Sequence, residues 1–521
     1  MKQMHTHRTS GAPSWGWWAL ATASLVVSAG SGVRAQGDDL RLLEAVKGQD
    51  TEAVGELLAR QADVNATQPD GATALHWAVY RDDLEMAGRL LDAGANAGAE
   101  NDYGVTPLSL ACTNANAAMV EALLASGADA NAAVSSGETV LMTCARTGSV
   151  DAVNALVAHG ADVNAREAAE NQTALMWAVA QGHPEVVRAL VEHGAEVDAR
   201  SRVSRHVISR RLQSELKYGE LGRRYGTDAE ETDIGGFTPL LFAAPHGDIE
   251  SARRLLAAGA AVNDVAPDGA SVLVVATFSG HGALARFLLD QGANPNAAAA
   301  GYAALHAAVL TGDLEVVAAL LAHGARPDAQ VTQATRVSRN GQVLMLNELL
   351  LGATPFALAA KFTDVEIMRV LAEAGADPRL PLKNGWTPLM LASGAGWRYG
   401  VWDRRDRVLP HMLATQAELV DERGTLATVR LAVELGADVN AVDEDGNTAL
   451  HYVVDKEFDR VVTFLAQSGA NLNATNRRGQ TPLAMVSRRR GGSDAAQATA
   501  ALLQELGAEA EGTGVARRVP R

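Results

Sequence analysis

The chain has 521 residues, of which 20% are charged, 47% hydrophobic and only 4% aromatic, and its formal net charge is −16. This length exceeds what one compact core usually holds, so several domains or a one-dimensional array are expected, and the apolar share excludes wholesale disorder. A chain this acidic is a poor general ligand for nucleic acid or anionic membrane.

The N-terminus carries Lys2 and Arg8, then an apolar run from Trp15 to Ala29, then Val33-Arg34-Ala35. This order reads as a secretory signal over residues 1–35, cleaved after Ala35. The run is 15 residues long, against roughly 20 for a membrane-spanning helix, so no stable membrane insertion is expected after cleavage. No cysteine follows to take a lipid and no Arg-Arg pair precedes it, which favours general secretion and a periplasmic or secreted location. Cleavage removes Lys2, Arg8 and Arg34 and no acid, leaving a still more acidic protein.

The remainder repeats. The clearest copy runs from Tyr302 to Gln330: a short apolar helix, a turn at Gly312-Asp313, an amphipathic helix ended by Gly324, and a polar extended loop. The helix-ending glycines Gly94, Gly127, Gly160, Gly194, Gly259, Gly292, Gly324, Gly375, Gly436, Gly469 and Gly507 are spaced by 33, 33, 34, 65, 33, 32, 51, 61, 33 and 38 residues. Two short helices cannot bury their shared apolar side alone, so such repeats must stack. The first repeat has Gln61 where later copies have glycine, and a polar outer side suited to a cap. The long gaps mark three insertions: 201–235 and 331–351 in the loops after the fifth and eighth repeats, and 397–423 between the two helices of a later one. Repeats one to five occupy 39–200, six to eight 236–330, and nine to twelve 352–509, followed by a tail over 510–521.

Thr106-Pro107-Leu108, Thr238-Pro239-Leu240, Thr387-Pro388-Leu389 and Thr481-Pro482-Leu483 open first helices, and Leu75-His76, Leu305-His306 and Leu450-His451 continue the pattern. Thr caps the helix, Pro fits its first turn, and pairs such as Asp70-Gly71 and Asp445-Gly446 turn each loop back as a hairpin-like finger. With the 33-residue period this resembles the ankyrin repeat over nearly all of the mature chain, and in particular the secreted or periplasmic ankyrin proteins of bacteria. The resemblance implies an all-α ankyrin-repeat solenoid of about twelve repeats, each a helix-turn-helix with a finger. It also implies a non-catalytic binding protein.

Cys112 and Cys144 lie in first helices of adjacent repeats, six and five residues after Thr106 and Thr139. Helix axes about 8 to 10 Å apart would hold them beyond comfortable bridging distance, so both are expected as buried, unbridged core residues. Nine histidines recur in register: His76, His306 and His451 in the first helix, His159, His193 and His323 before the terminating glycine, and His183, His246 and His281 at the interhelical turn. Recurrence makes them architectural. No zinc, nucleophile-elbow, phosphate-loop or calcium-loop pattern is present, so no cofactor, metal or catalytic residue is expected, and the Asp and Asn of the fingers read as solvated turn residues.

Ankyrin proteins usually bind on the concave side formed by fingers and first helices. Carried over by position, that side offers Phe237, Phe278, Tyr302, Phe362 and Trp386 as an aromatic stripe, with Tyr80, Arg81 and Arg146 nearer the N-terminus. The stripe is either exposed for a partner or covered by an insertion as core. Trp77 and Trp177, four residues after Thr73 and Thr173, read as packing between repeats. In the first insertion Arg202, Arg205, Arg210, Arg211, Lys217, Arg223 and Arg224 precede Asp228, Glu230, Glu231 and Asp233, a pattern that reads as self-paired. In the third, Trp397, Tyr399 and Trp402 interleave with Arg404 and Arg405, which suits a partner or a loop packed on its own solenoid.

The expected function is monomeric, non-catalytic recognition of a protein or peptide, with no nucleic acid. One rival is an enzyme or ligand-binding subunit whose site is built by the insertions around His206, His411, Trp397 or Trp402. Another is a structural spacer.

Overall fold

A computed structural model describes residues 38–209, 229–334, 348–396, 422–487 and 494–509. The expected signal over 1–35, the expected tail over 510–521 and the expected site residues Trp397, Tyr399, Trp402, Arg404 and Arg405, with His411, lie outside these residues, and the His206 side chain lies outside them too. The described chain forms two compact units, divided after Pro267, and each holds six antiparallel helix pairs. The fold is the expected all-α repeat solenoid.

Sequence chemistry fixes both ends of each helix. Thr106, Thr139, Thr238, Thr354 and Thr387 accept a hydrogen bond from the third helical N–H of their first helices. Second helices use acids or Asn in the same way: Asp50, Asp83, Asn116, Asp248, Asp313 and Asp364. They end on a left-handed residue, Gly324 at φ 84°, and Gln61 takes the same conformation in the first repeat at φ 60° although it bears a Cβ. Each helix then buries itself on its neighbours. In the helix Ala304–Thr311 every side chain from Ala304 to Leu310 is buried, against its own second helix Leu314–Ala322 and the first helices Val272–Phe278 and Pro355–Lys361.

The fingers add to one expectation. The last Asn of the recurring loop motif, as in Ala-Asp-Val-Asn at 161–164 and Ala-Asp-Ala-Asn at 128–131, keeps contact with solvent and is also a staple between repeats. Asn131 donates to the Gly160 carbonyl at 2.9 Å and accepts from the Asp162 N–H at 2.7 Å. Asn65 and Asn164 do the same in the N-terminal unit, and Asn296 and Asn440 in the C-terminal one.

The cysteines correct another. Cys112 and Cys144 form a disulfide between the first helices Pro107–Thr113 and Val140–Thr147, and both are fully buried. Axis separation was the wrong ruler. Each Cα stands about 2.3 Å off its helix axis, so residues on facing sides approach far closer than the axes do. Here the Cα atoms are 4.6 Å apart, inside bridging range.

The first insertion departs from the all-α plan. Strands β1 (Val203–Ser209) and β2 (Ala229–Gly235) pair antiparallel, with Val203 opposite Gly235 and Ser209 opposite Ala229. The ribbon continues the finger, where the Ser201 N–H donates to the Phe237 carbonyl at 3.0 Å. Arg205 faces Asp233 across the strands at 3.3 Å, the self-pairing expected of a basic run beside an acidic one.

Two outcomes are expected. Reduction of the disulfide, or Cys112→Ala with Cys144→Ala, lowers unfolding stability by about 4 kcal/mol for a loop of this length, read from urea unfolding with and without reductant; thiol titration of the denatured, unreduced protein finds no free thiol. Asn131→Ala costs about 1 kcal/mol, because its two backbone partners become solvated rather than buried; an unchanged urea midpoint would remove the staple role.

Candidate interaction face

Three of the recurring histidines can be placed atom by atom. Nδ1 of His76, His306 and His451 accepts from the backbone N–H three residues earlier, at 3.1 Å in each case. Nε2 must then carry the proton, and it donates to a carbonyl of the next finger: Val105 at 3.0 Å, Ala329 at 2.9 Å and Gln480 at 3.1 Å. Burial pushes all three imidazoles below their ordinary range, His306 to about 4, against the opposing pull of the carbonyl acceptors. These rings join repeats and are not available for acid–base work. Among the described residues no group of three or more His, Cys, Asp or Glu could hold a metal ion.

The expected aromatic stripe divides. Phe278 and Tyr302 are 4% and 1% exposed, and their rings pack 6.2 Å apart. Both are core residues, which corrects their placement on an open face: each ring covers the other instead of facing solvent. Phe237, Phe362 and Trp386 are half-buried. Phe237 meets Phe242 edge-on at 6.0 Å, and the Lys361 ammonium lies 6.0 Å from the Phe362 ring. Trp386 Nε1 donates to Tyr452 Oη at 2.9 Å, and Tyr452 in turn donates to Asp443. Burial first, and then the Asp443 acceptor, push the Tyr452 phenol up.

The N-terminal unit is more open. Tyr80 is 47% exposed and stands edge-on to Trp77 at 5.8 Å, Arg81 beside it is exposed, and the Lys47 ammonium covers the other ring at 4.9 Å. Arg146 is half-buried with its guanidinium 5.8 Å from the Trp177 ring centre. Sequence reading passed over Tyr103, at 69% the most exposed large apolar side chain among the described residues. Its place in Asp102-Tyr103-Gly104, at a finger tip, was the available signal.

These repeats have relatives. Residues 42–134, 130–201, 221–299, 240–331 and 412–511 match the family described as ankyrin repeats (3 copies). The chain belongs to the ankyrin-repeat family. It is similar to Neurogenic locus notch homolog protein 1 of Homo sapiens, 34% identical over 143 residues, which are 25% of this chain and 5% of that protein. It is also similar to Ankyrin repeat protein nuc-2 of Neurospora crassa, 30% identical over 31% of this chain and 17% of that protein. Ankyrin repeat and SOCS box protein 16 of Homo sapiens is 33% identical over 225 residues, 40% of this chain and 46% of that protein. The chain thus spans less than half the length of these relatives, and the likeness is one of repeats. Ankyrin repeats commonly mediate protein binding and are generally non-catalytic, and no helix among the described residues is long and apolar enough to cross a membrane.

His306 yields a pH dependence. Its imidazole is lowered from 6.5 when unfolded to about 4 when folded, so the unfolded chain binds the proton first. Its contribution is complete above pH 6.5 and declines as pH falls towards 4, by on the order of 3 kcal/mol. His306→Asn is expected to flatten the dependence of the urea midpoint on pH in that window by about one proton; an unchanged slope would show that His306 titrates normally.

Proposed function

We propose that this chain is a non-catalytic scaffold, exported from the cytoplasm, that binds a protein or peptide through its concave face and insertions. The observation that carries the reading is the exposure of Tyr80, Arg81 and Tyr103 at first-helix and finger positions of an ankyrin array. Their side chains stand outside the stacked core, and exposed Tyr and Arg are the residue types that anchor interfaces. Phe237, Phe362, Trp386 and Arg146 extend the surface as half-buried contributors. Trp397, Tyr399, Trp402, Arg404 and Arg405 would add a ring-and-guanidinium loop to it.

Two features support export to a periplasmic or extracellular space. One is the charged, apolar and small-residue order of the first 35 residues. The other is the Cys112–Cys144 disulfide, a bond that persists in oxidising compartments. The exported protein is expected as a monomer beginning at Gln36.

The test uses the exported protein and a Tyr80→Ala, Arg81→Ala, Tyr103→Ala variant as baits in the periplasmic and culture fractions. A specific protein is expected to be retained by the first and lost by the second, with a urea midpoint changed by no more than about 0.5 kcal/mol. Equal retention would move the interface elsewhere, and N-terminal sequencing that finds Met1 would overturn export.

A further inference from the structure

The Cys112–Cys144 bond lies in the seam between the third and fourth repeats, and both cysteines are 0% exposed. Their cover comes from neighbouring helices on both sides. The helix Pro107–Thr113 packs on Ala74–Tyr80 before it, Val140–Thr147 packs on Ala174–Ala180 after it, and the second helices Ala117–Ala125 and Val150–Ala158 complete the packing.

Hydrogen bonds close the same seam. Thr147 Oγ1 donates from the fourth repeat to the Cys112 carbonyl of the third at 3.0 Å. Asn131 reaches the Gly160 carbonyl and the Asp162 N–H, and the Ala168 N–H donates to the Ser136 carbonyl at 3.0 Å from finger to finger. On the second helices, His159 Nε2 stands 3.5 Å from Glu121 Oε1.

Thiol–disulfide exchange requires a thiolate to reach one of the sulfurs concerned. In the stacked repeats neither sulfur can be reached, either by a reductant that would break the bond or by an oxidant that would make it. Repeats in an array open locally where neighbour contacts fail. We propose that Cys112–Cys144 is a folding-gated redox latch: the bond is made while the third and fourth repeats are apart, and after they stack it is broken only when their seam opens. The folded protein therefore keeps the redox state of the surroundings in which these repeats stacked. This holds whatever the chain binds.

The exchange balances with small reagents. One thiolate of dithiothreitol attacks a sulfur, the S–S bond breaks and the other cysteine leaves as a thiolate. The reagent's second thiol then displaces the first cysteine from the mixed disulfide and closes a cyclic disulfide, so two electrons and two protons pass to the cysteines. With oxidised glutathione the flow reverses: two cysteine thiols become the bond and two reduced glutathione molecules leave.

The test follows thiols in the purified chain by acid quench and maleimide labelling. Native protein in dithiothreitol is expected to be reduced at least about tenfold more slowly than the same protein in concentrated urea. Asn131→Ala and Thr147→Val each remove bonding across the seam and are expected to speed native reduction about fivefold, the factor that one net hydrogen bond supplies. Asn440→Ala removes the corresponding staple in the C-terminal unit and is expected to leave the rate unchanged. Native reduction as fast as in urea would overturn the latch. Equal acceleration by Asn440→Ala, or none by either seam variant, would move the gate away from this seam and overturn its role. For the making of the bond, the reduced and unfolded chain is diluted into refolding buffer, with oxidised glutathione added at once or after the helical circular-dichroism signal has levelled. The delayed sample is expected to form the bond at least about tenfold more slowly; equal rates would show that stacking does not close the seam to an oxidant.

Discussion

Burial by neighbours is the constraint on which the rest of this structure depends. A helix of seven or eight residues is too short to persist alone in water. The helix Ala304–Thr311 persists because its two flanking first helices and its own second helix cover it on all sides. The polar residues that recur with the period solve the problem this burial creates. Thr and Asp cap helix ends that would otherwise leave donors unpaired, and His76, His306 and His451 connect a buried first turn to a carbonyl of the next finger. The Asn staples join the outer loops in the same direction. The caps act within one helix, whereas the histidine and asparagine bonds run from one repeat to the next and turn the same backbone chemistry into cohesion between repeats.

That is why so much of the fold was legible. A residue whose role is local and repeated leaves a periodic mark, and the glycines, threonines and first-helix histidines all did. What stayed hidden depended on distances the period does not encode. The Cys112–Cys144 bond turned on how closely two facing Cα atoms approach, which an axis-to-axis spacing overstates. Phe278 stands where the second repeat exposes Tyr80, seven residues after the cap, yet its packing against Tyr302 closes both off. The paired strands of the first insertion were visible only as a basic run followed by an acidic one, because charge order records pairing but not backbone conformation.

The disulfide also alters how the N-terminal unit holds together. Nearest-neighbour contacts alone allow adjacent repeats to open independently. A covalent link between the first helices of the third and fourth repeats couples the opening of those two. The open residues Tyr80, Arg81 and Tyr103 lie just before that link in sequence, and Arg146 and Trp177 just after it.

Function in a repeat protein is best sought where a copy departs from its own rule, because the rule already accounts for the fold. Three repeats share the arrangement in which a finger residue stands beside a ring four places into the first helix. In two of them, Gln68 with Trp77 and Asp443 with Tyr452, the bond closes. In the fifth, one added residue in the finger draws the Glu167 carboxylate onto its own turn, and Trp177 Nε1 has no acceptor among the described residues. An unmet donor beside an occupied one of the same kind is a difference the stacking does not need. The second and eleventh repeats close the bond with a Gln or an Asp in an ordinary turn, so the length of the finger turn, rather than the helix that carries the ring, decides whether the ring is bonded to its own finger.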